Sequence, residues 1–183
     1  PEWKARVGET EVDRMWMPGN SINFSIGQGD ILTTPLQMAS VYSTIANGGR
    51  QVKPHVGLRV EDQVTGKASA SLQPEDAMQL PVSSDNLRAI QEGLAGATAP
   101  GTTVGDTWVG FNTPVSGKTG TAQVSGKADY AWYVAYAPST NPQYVVVVLI
   151  EQGGGGGSVA APTARRVLEA IFPQPPAPPG TGG

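Results

Sequence analysis

The sequence has no cysteine and a single histidine in 183 residues. Disulfides, thiolate catalysis and cysteine-ligated metals are thereby excluded, while the compartment stays open, because a chain without thiols suits reducing and oxidising surroundings alike. His55 has no second ligand at a metal-binding spacing and reads as a surface or loop residue. No metal and no cofactor is expected. Charge is also scarce. Only 15% of residues are charged and the formal net charge is -3, so no basic field exists to hold a phosphate backbone, and nucleic acid is not expected as a partner. The longest apolar run, Tyr144 to Ile150, falls far short of the ~20 residues that span a bilayer. No repeat of 20 to 50 residues is visible either, which argues against a solenoid.

What is present suits a packed core. Hydrophobic residues make up 39% of the chain, against the low hydrophobicity and high net charge of disordered sequences. Glycine and proline are abundant, at 24 and 16, but they are unevenly spread. Five glycines form the run Gly153 to Gly157, and Pro173 to Gly183 holds five prolines and three more glycines. Residues 1–172 therefore read as globular and 173–183 as a disordered tail. The length suits one small domain, yet the chain starts at Pro1 without an initiator methionine and reads as part of something longer.

Ser21 to Ile31 reads as a loop leading into Thr34-Pro35-Leu36-Gln37, where Thr at the cap, Pro at the first helical position and Gln three residues on predict a helix over about 35–47. Met38, Val41, Tyr42 and Ile45 would form its apolar stripe, and Asn47-Gly48-Gly49 its stop. Gln51 to Asp62 and Lys67 to Leu72 read as short strands around a Thr65-Gly66 turn. A second helix follows Ser83 or Ser84, with Leu87, Ile90, Leu94 and Ala97 along one face. From Val115 the period becomes that of strands: Val115 to Val124, Ala131 to Ala137, and Tyr144 to Glu151 as a buried central strand, the last two joined as antiparallel neighbours by Pro138 to Pro142. Ser158 would cap a final helix packed back on the sheet through Ala160, Ala164, Val167, Leu168 and Ile171, with Pro162 in its first turn. Trp132, Tyr133 and Tyr136 read as strand packing on alternate faces, and Asp129 and Glu151 as structural residues at strand ends.

The segment Ser116-Gly117-Lys118-Thr119-Gly120-Thr121-Ala122-Gln123 carries the chemistry. A phosphate loop would need glycine at position 112, which is Asn112, and a helix after the Lys-Thr, where a strand pattern follows. The paired-glycine dinucleotide pattern fails at Leu32. Lys-Thr-Gly on a strand is instead one signature of penicillin-recognising serine enzymes, beside Ser-x-x-Lys and Ser-x-Asn. An extended substrate can lie along a strand edge, Lys118 places positive charge beside it, Thr119 and Thr121 turn their hydroxyls to one side, and Gly120 leaves room for approach. Two hydroxyls and an ammonium would converge on a carboxylate, and the Thr121 N–H could help hold an oxyanion. The same four residues also suit an exposed turn between strands.

Ser25 to Ala39, Ile45-Ala46-Asn47-Gly48-Gly49, Lys118 to Gln123, Ala131 to Pro138 and the glycine run leading to Ala160-Ala161-Pro162 together resemble, in order, the transpeptidase domain of penicillin-binding proteins. The ending from Gly153 to Pro162 is most similar to class B, elongation-type members. The resemblance implies an α/β (α+β) penicillin-binding/β-lactamase-like fold of three layers, with a five-stranded antiparallel sheet between helices, of which this chain would be the C-terminal part. It also implies an acyl-serine enzyme that cross-links peptidoglycan stem peptides ending in D-Ala-D-Ala and is trapped by β-lactams, working outside the plasma membrane. Lys118 and Thr121 would be catalytic, and Lys118, Thr119, Gly120 and Thr121 would bind substrate.

One signature is missing, since no Ser-x-x-Lys occurs in the 183 residues. The nucleophile would then belong to an N-terminal remainder of the domain, a necessary partner, and the chain by itself would be inactive. A non-catalytic sensor or scaffold of the same fold is the alternative. Ser84-Asp85-Asn86 spells the third signature, but it follows the Gly-Gln-Gly segment and reads as a helix cap.

Overall fold

The computed structural model describes residues 1–73 and 75–173. Apart from Pro173, the expected tail lies outside the described residues. Two compact units emerge, Pro1–Thr34 and the chain from Pro35 onward.

The first unit holds α1 (Glu2–Val7), α2 (Glu11–Arg14) and α3 (Pro18–Ser25). Thr10 caps α2, its Oγ1 accepting the Asp13 N–H at 3.1 Å while the Asp13 carboxylate accepts the Thr10 hydroxyl at 2.7 Å and N–H at 3.2 Å. These bonds to Thr10 hold the Asp13 carboxyl below its ordinary value. The helix α3 corrects the loop expected from Ser21: Pro18 suits the first turn, and Asn20 Oδ1 accepts the Met17 N–H at 2.8 Å, so the loop begins only beyond Ser25. No residue of this unit is buried.

The second unit opens with α4 (Pro35–Ala46), where it was expected. Gly48 and Gly49 stop it at φ 70° and 89°. Tyr42 is buried, with Met38 and Ile45 packed beside it, but Val41 faces solvent and leaves the expected stripe. The stretch Gln51 to Asp62 is two strands. The first, β1 (Arg50–Val52), pairs with β4 (Asp76–Gln79), which the alternation did not reveal, whereas β2 (Arg59–Glu61) pairs with β3 (Ala68–Ser71). Pro54, lacking an N–H, falls where the ladder breaks. Asp62 Oδ1 closes the β2–β3 turn by accepting from the Val64 and Thr65 N–H groups at 3.0 and 2.7 Å and from the Thr65 hydroxyl at 2.8 Å. Chiefly through the Thr65 N–H, its carboxyl sits below the usual range. His55 is exposed on the intervening loop. The helix α5 (Ser84–Gly96) starts after Ser83, whose Oγ accepts the Asn86 N–H at 3.2 Å, so Ser84-Asp85-Asn86 is a helix start as expected. Leu94 is buried, Leu87 half-buried and Ile90 exposed.

A 3-10 turn (Gly105–Trp108) precedes the main sheet, β5 (Ser116–Ala122), β6 (Tyr130–Ala137) and β7 (Tyr144–Ile150), antiparallel in the order β5-β6-β7. The expected central strand, Tyr144 to Glu151, is therefore displaced by β6 among the described residues, where the main sheet has three strands. The valine run marks burial without saying on how many edges a strand is paired. Tyr144 stays 48% exposed, whereas six of the eight β6 residues are buried on one face or the other.

Side chains of β6 alternate between two cores. Ala131, Tyr133, Ala135 and Ala137 join Val146 and Val148 under α6 (Ala161–Ile171) and the 3-10 turn, whereas Val134 and Tyr136 join Tyr42 and Leu94 under α4 and α5. The result is the three-layer α/β arrangement that was expected. Alanines line both sides of the α6 contact, Ala160, Ala161 and Ala164 facing those of β6, which lets helix and strand approach closely. Ser158 does not cap α6. A π-turn (Gly156–Ala160) runs into the helix without a side-chain cap, and the Ser158 hydroxyl instead donates to the Gly155 carbonyl at 3.1 Å. Pro162 sits in the first turn as expected, while Val167 is 42% exposed and lies off the buried face. Arg165 secures α6 to the 3-10 turn, donating to the Thr107 and Val109 carbonyls at 2.5 and 2.9 Å and to Glu169 at 2.7 Å.

Leu168 is completely buried in the alanine-rich core, so Leu168→Ala should lower unfolding stability by about 2–5 kcal/mol, as read from urea denaturation. Burial, with Tyr136 nearby, pushes the Tyr42 phenol from 10.0 up to about 12. Its folded value exceeds its unfolded one, so the stability it contributes is intact below pH 10 and is lost as pH rises through 12. Urea midpoints should fall across that window, and Tyr42→Phe should make the fall shallower.

Candidate active site

Strand β5 lies at the edge of the main sheet, with β6 on one side and no described strand on the other. Such an edge leaves alternate N–H and C=O groups free for another extended chain. Its register places Thr119 opposite Tyr133 and Thr121 opposite Ala131, on the face covered by the π-turn and α6, and Lys118 opposite Val134 and Gly120 opposite Trp132, on the other. The two threonines thus share a face, about 7 Å apart along the strand. Thr119 is half-buried and Thr121 exposed.

Alternation alone would send Lys118 away from the hydroxyls. The exposed lysine instead curls back along the edge, its ammonium donating to the Thr119 carbonyl at 3.0 Å and the Thr119 Oγ1 at 3.3 Å. Ammonium and one hydroxyl are therefore together, with Thr121 one pleat further on. The partners of Lys118 are neutral oxygens, so its charge is not cancelled by this contact and can face an anion.

Buried bonds hold the strand. Thr98 Oγ1 donates to the Val115 carbonyl at 2.5 Å, and the Ser116 and Ser139 hydroxyls meet at 2.8 Å. Beneath Thr119, Tyr133 accepts a hydrogen bond from Trp108 Nε1 at 3.1 Å. Burial pushes its phenol well upward, against the lowering effect of that bond, so Tyr133 is neutral at physiological pH. Trp108 and Tyr133 stack with ring centroids 6.0 Å apart. None of these supports is visible as a motif. Trp108 and Tyr133 lie 25 residues apart, and the glycine run, which reads as a linker, proves to contact the strand through Gly156.

With this geometry in place, comparison with known proteins is informative. Residues 6–169 match the penicillin binding protein transpeptidase domain. The chain is 33% identical over 194 residues to the peptidoglycan D,D-transpeptidase MrdA of Haemophilus influenzae, covering 94% of this chain and 28% of that relative. Among solved structures, Pseudomonas aeruginosa PBP2 in complex with WCK 5153 superposes with a TM-score of 0.75 at 29% identity, over 94% of this chain and 36% of that one. A ceftriaxone acyl-enzyme complex of penicillin-binding protein A from Mycobacterium tuberculosis gives 0.73 at 30% identity, over 82% and 35%. The chain belongs to the penicillin-binding protein transpeptidase domain family, and its fold is the one expected from that resemblance. It spans little more than a quarter of the length of the MrdA relative.

Two glycines of β5 are set apart by what surrounds them. A Cβ on Gly117 would lie 2.6 Å from the Tyr133 hydroxyl and 2.8 Å from the Val134 carbonyl, whereas one on Gly120 would meet only the Trp132 side chain, at 3.2 Å. Gly117→Ala should cost about 1–3 kcal/mol in urea unfolding, and Gly120→Ala less than about 1 kcal/mol.

Proposed function

We propose that this chain is the C-terminal portion of a peptidoglycan D,D-transpeptidase and forms one wall of its active site. The supporting observation is the free edge of β5, where Lys118 brings its ammonium to the Thr119 hydroxyl and Thr121 follows on the same face as Thr119. A stem peptide ending in D-Ala-D-Ala would lie extended along that edge. Thr119 and Thr121 would donate to its terminal carboxylate, Lys118 would supply the compensating charge, and Gly120 would let the backbone approach.

The serine nucleophile would come from sequence outside these 183 residues, which contain no Ser-x-x-Lys. Its oxygen adds to the carbonyl between the two D-Ala residues, and the Thr121 N–H helps stabilise the resulting oxyanion. The C–N bond then breaks, and the terminal D-Ala leaves as the amine after taking up a proton. An amine of a second stem displaces the serine and completes the cross-link. A β-lactam carries a comparable carboxylate beside a reactive amide, and opening its ring leaves the serine acylated. The similarity to MrdA relatives and the Gly153 to Pro162 ending favour a class B, elongation-type parent, acting outside the plasma membrane. No helix among the described residues is long and apolar enough to cross a membrane.

The missing signature also keeps in view a sensor or scaffold of the same fold. Fluorescent penicillin separates these readings. This chain alone should show no covalent adduct by intact mass, and the complete polypeptide should take up one equivalent. A stoichiometric adduct on the isolated chain would refute the division of the site, and a complete polypeptide that stays unlabelled would support the sensor. In the complete polypeptide, Thr121→Val removes a hydrogen bond to a charged group worth about 1.5–3 kcal/mol, so acylation should slow roughly ten- to hundredfold.

A further inference from the structure

The glycine run does more than connect β7 to α6. Gly156, the first residue of the π-turn, is buried, and a Cβ on it would stand 2.4 Å from the Trp132 carbonyl oxygen, 2.5 Å from the Gly120 carbonyl oxygen and 3.2 Å from the Gly120 nitrogen. All three are backbone atoms of the ladder between β5 and β6, so no rotamer change could make room. Its φ is not in the left-handed region, so the demand is for space and not for an unusual conformation. Gly157 differs. A Cβ there would make ordinary contacts, 3.4 Å from the Thr103 carbonyl and Val104 Cγ1 and 3.8 Å from Thr119 Cγ2.

We infer that Gly156 is a positioning residue for the carboxylate-binding threonines. By seating the π-turn directly on the backbone at Gly120, it sets the level of the strand between Thr119 and Thr121, and so the place of both hydroxyls. Any side chain at 156 must lift the turn from the sheet or push Gly120 outward, and either movement displaces the two threonines that flank it. Gly157, one residue on, covers the Thr119 methyl and completes the seat without demanding glycine. The inference rests on the reading of Thr119 and Thr121 as carboxylate ligands.

The experiment uses the complete transpeptidase and compares acylation by benzylpenicillin with acylation by its methyl ester, which lacks the anionic carboxylate. A general loss of structure slows both alike, whereas misplaced threonines reduce the ratio of the two rates. Gly156→Ala should lower that ratio by about tenfold or more, since misplacement by 1 Å can cost a factor of a hundred. Gly157→Ala should leave it unchanged. Gly157→Val, whose side chain would grow from a Cβ already 3.4 Å from the Thr103 carbonyl and Val104 Cγ1 and 3.8 Å from Thr119 Cγ2, crowds the same turn against β5 and should lower the ratio, which covers the case of a Gly156→Ala protein that does not fold. Thr121→Val is the reference. If it lowers the ratio while Gly157→Val and a folded Gly156→Ala do not, Gly156 is not a positioning residue and the function proposed above still stands. If Thr121→Val leaves the ratio intact, the carboxylate reading itself falls and takes this inference with it.

Discussion

Among the described residues of the larger unit, β6 is hydrogen-bonded on both edges and covered on both faces, and its neighbours are arranged around it. A strand in that position tolerates no polar side chain without a partner, and its residues meet the condition: alanines beneath a close-packed helix, valine and tyrosine beneath α4, and a Tyr133 hydroxyl bonded to Trp108. The small residues on the α6 side are the decisive choice. They let the helix and its preceding π-turn approach the sheet so closely that glycine is needed at 156, where the turn meets the backbone.

The candidate site inherits its geometry from this arrangement. With β6 held, β5 is placed in register along one edge, and its other edge lies free of any described strand. Rigidity and openness are thus combined in one strand. The inner side is pinned by the ladder, by Thr98 on the Val115 carbonyl and by the glycine seat below, while the outer side keeps backbone groups for an extended ligand. Lys118 is the adaptable member, long enough to bring its charge across the edge from the opposite face to Thr119.

The first 34 residues pose a different physical problem. Two of their three short helices have side-chain bonds at the N-terminus, at Thr10 and Asn20, while no residue there is buried, and Val12, Ile22, Phe24 and Ile26 are more than half exposed. Local bonds define the starts of α2 and α3 there. In the unit from Pro35 the helices are fixed by burial as well, α4 through Tyr42 and α5 through Leu94.

Much of the architecture was legible from local chemistry. Pro35 at the start of α4, Ser83 before α5, the alternation in β5 and β6 and the Lys-Thr-Gly segment on a strand are each a property of a few adjacent residues, and the structure keeps them where the sequence puts them. What required the tertiary structure was whatever depends on a partner distant along the chain. Hydrophobicity marked β7 as buried but could not count its neighbours, so the central place went to β6. Convergence of the ammonium with the hydroxyls was expected, but the register sets Lys118 on the other face, and it is its path along the edge that brings it to Thr119. Glycines 153–157 form one unbroken run in the sequence, yet Gly156 alone among them meets the ladder at Gly120 and Trp132. The sequence by itself thus determined the family and the elements that local chemistry marks, α4, α5 and the strands of the main sheet. Packing decided which strand is enclosed, which edge is open and where glycine cannot be replaced, because each of these is set by the distance between residues that are remote in the chain.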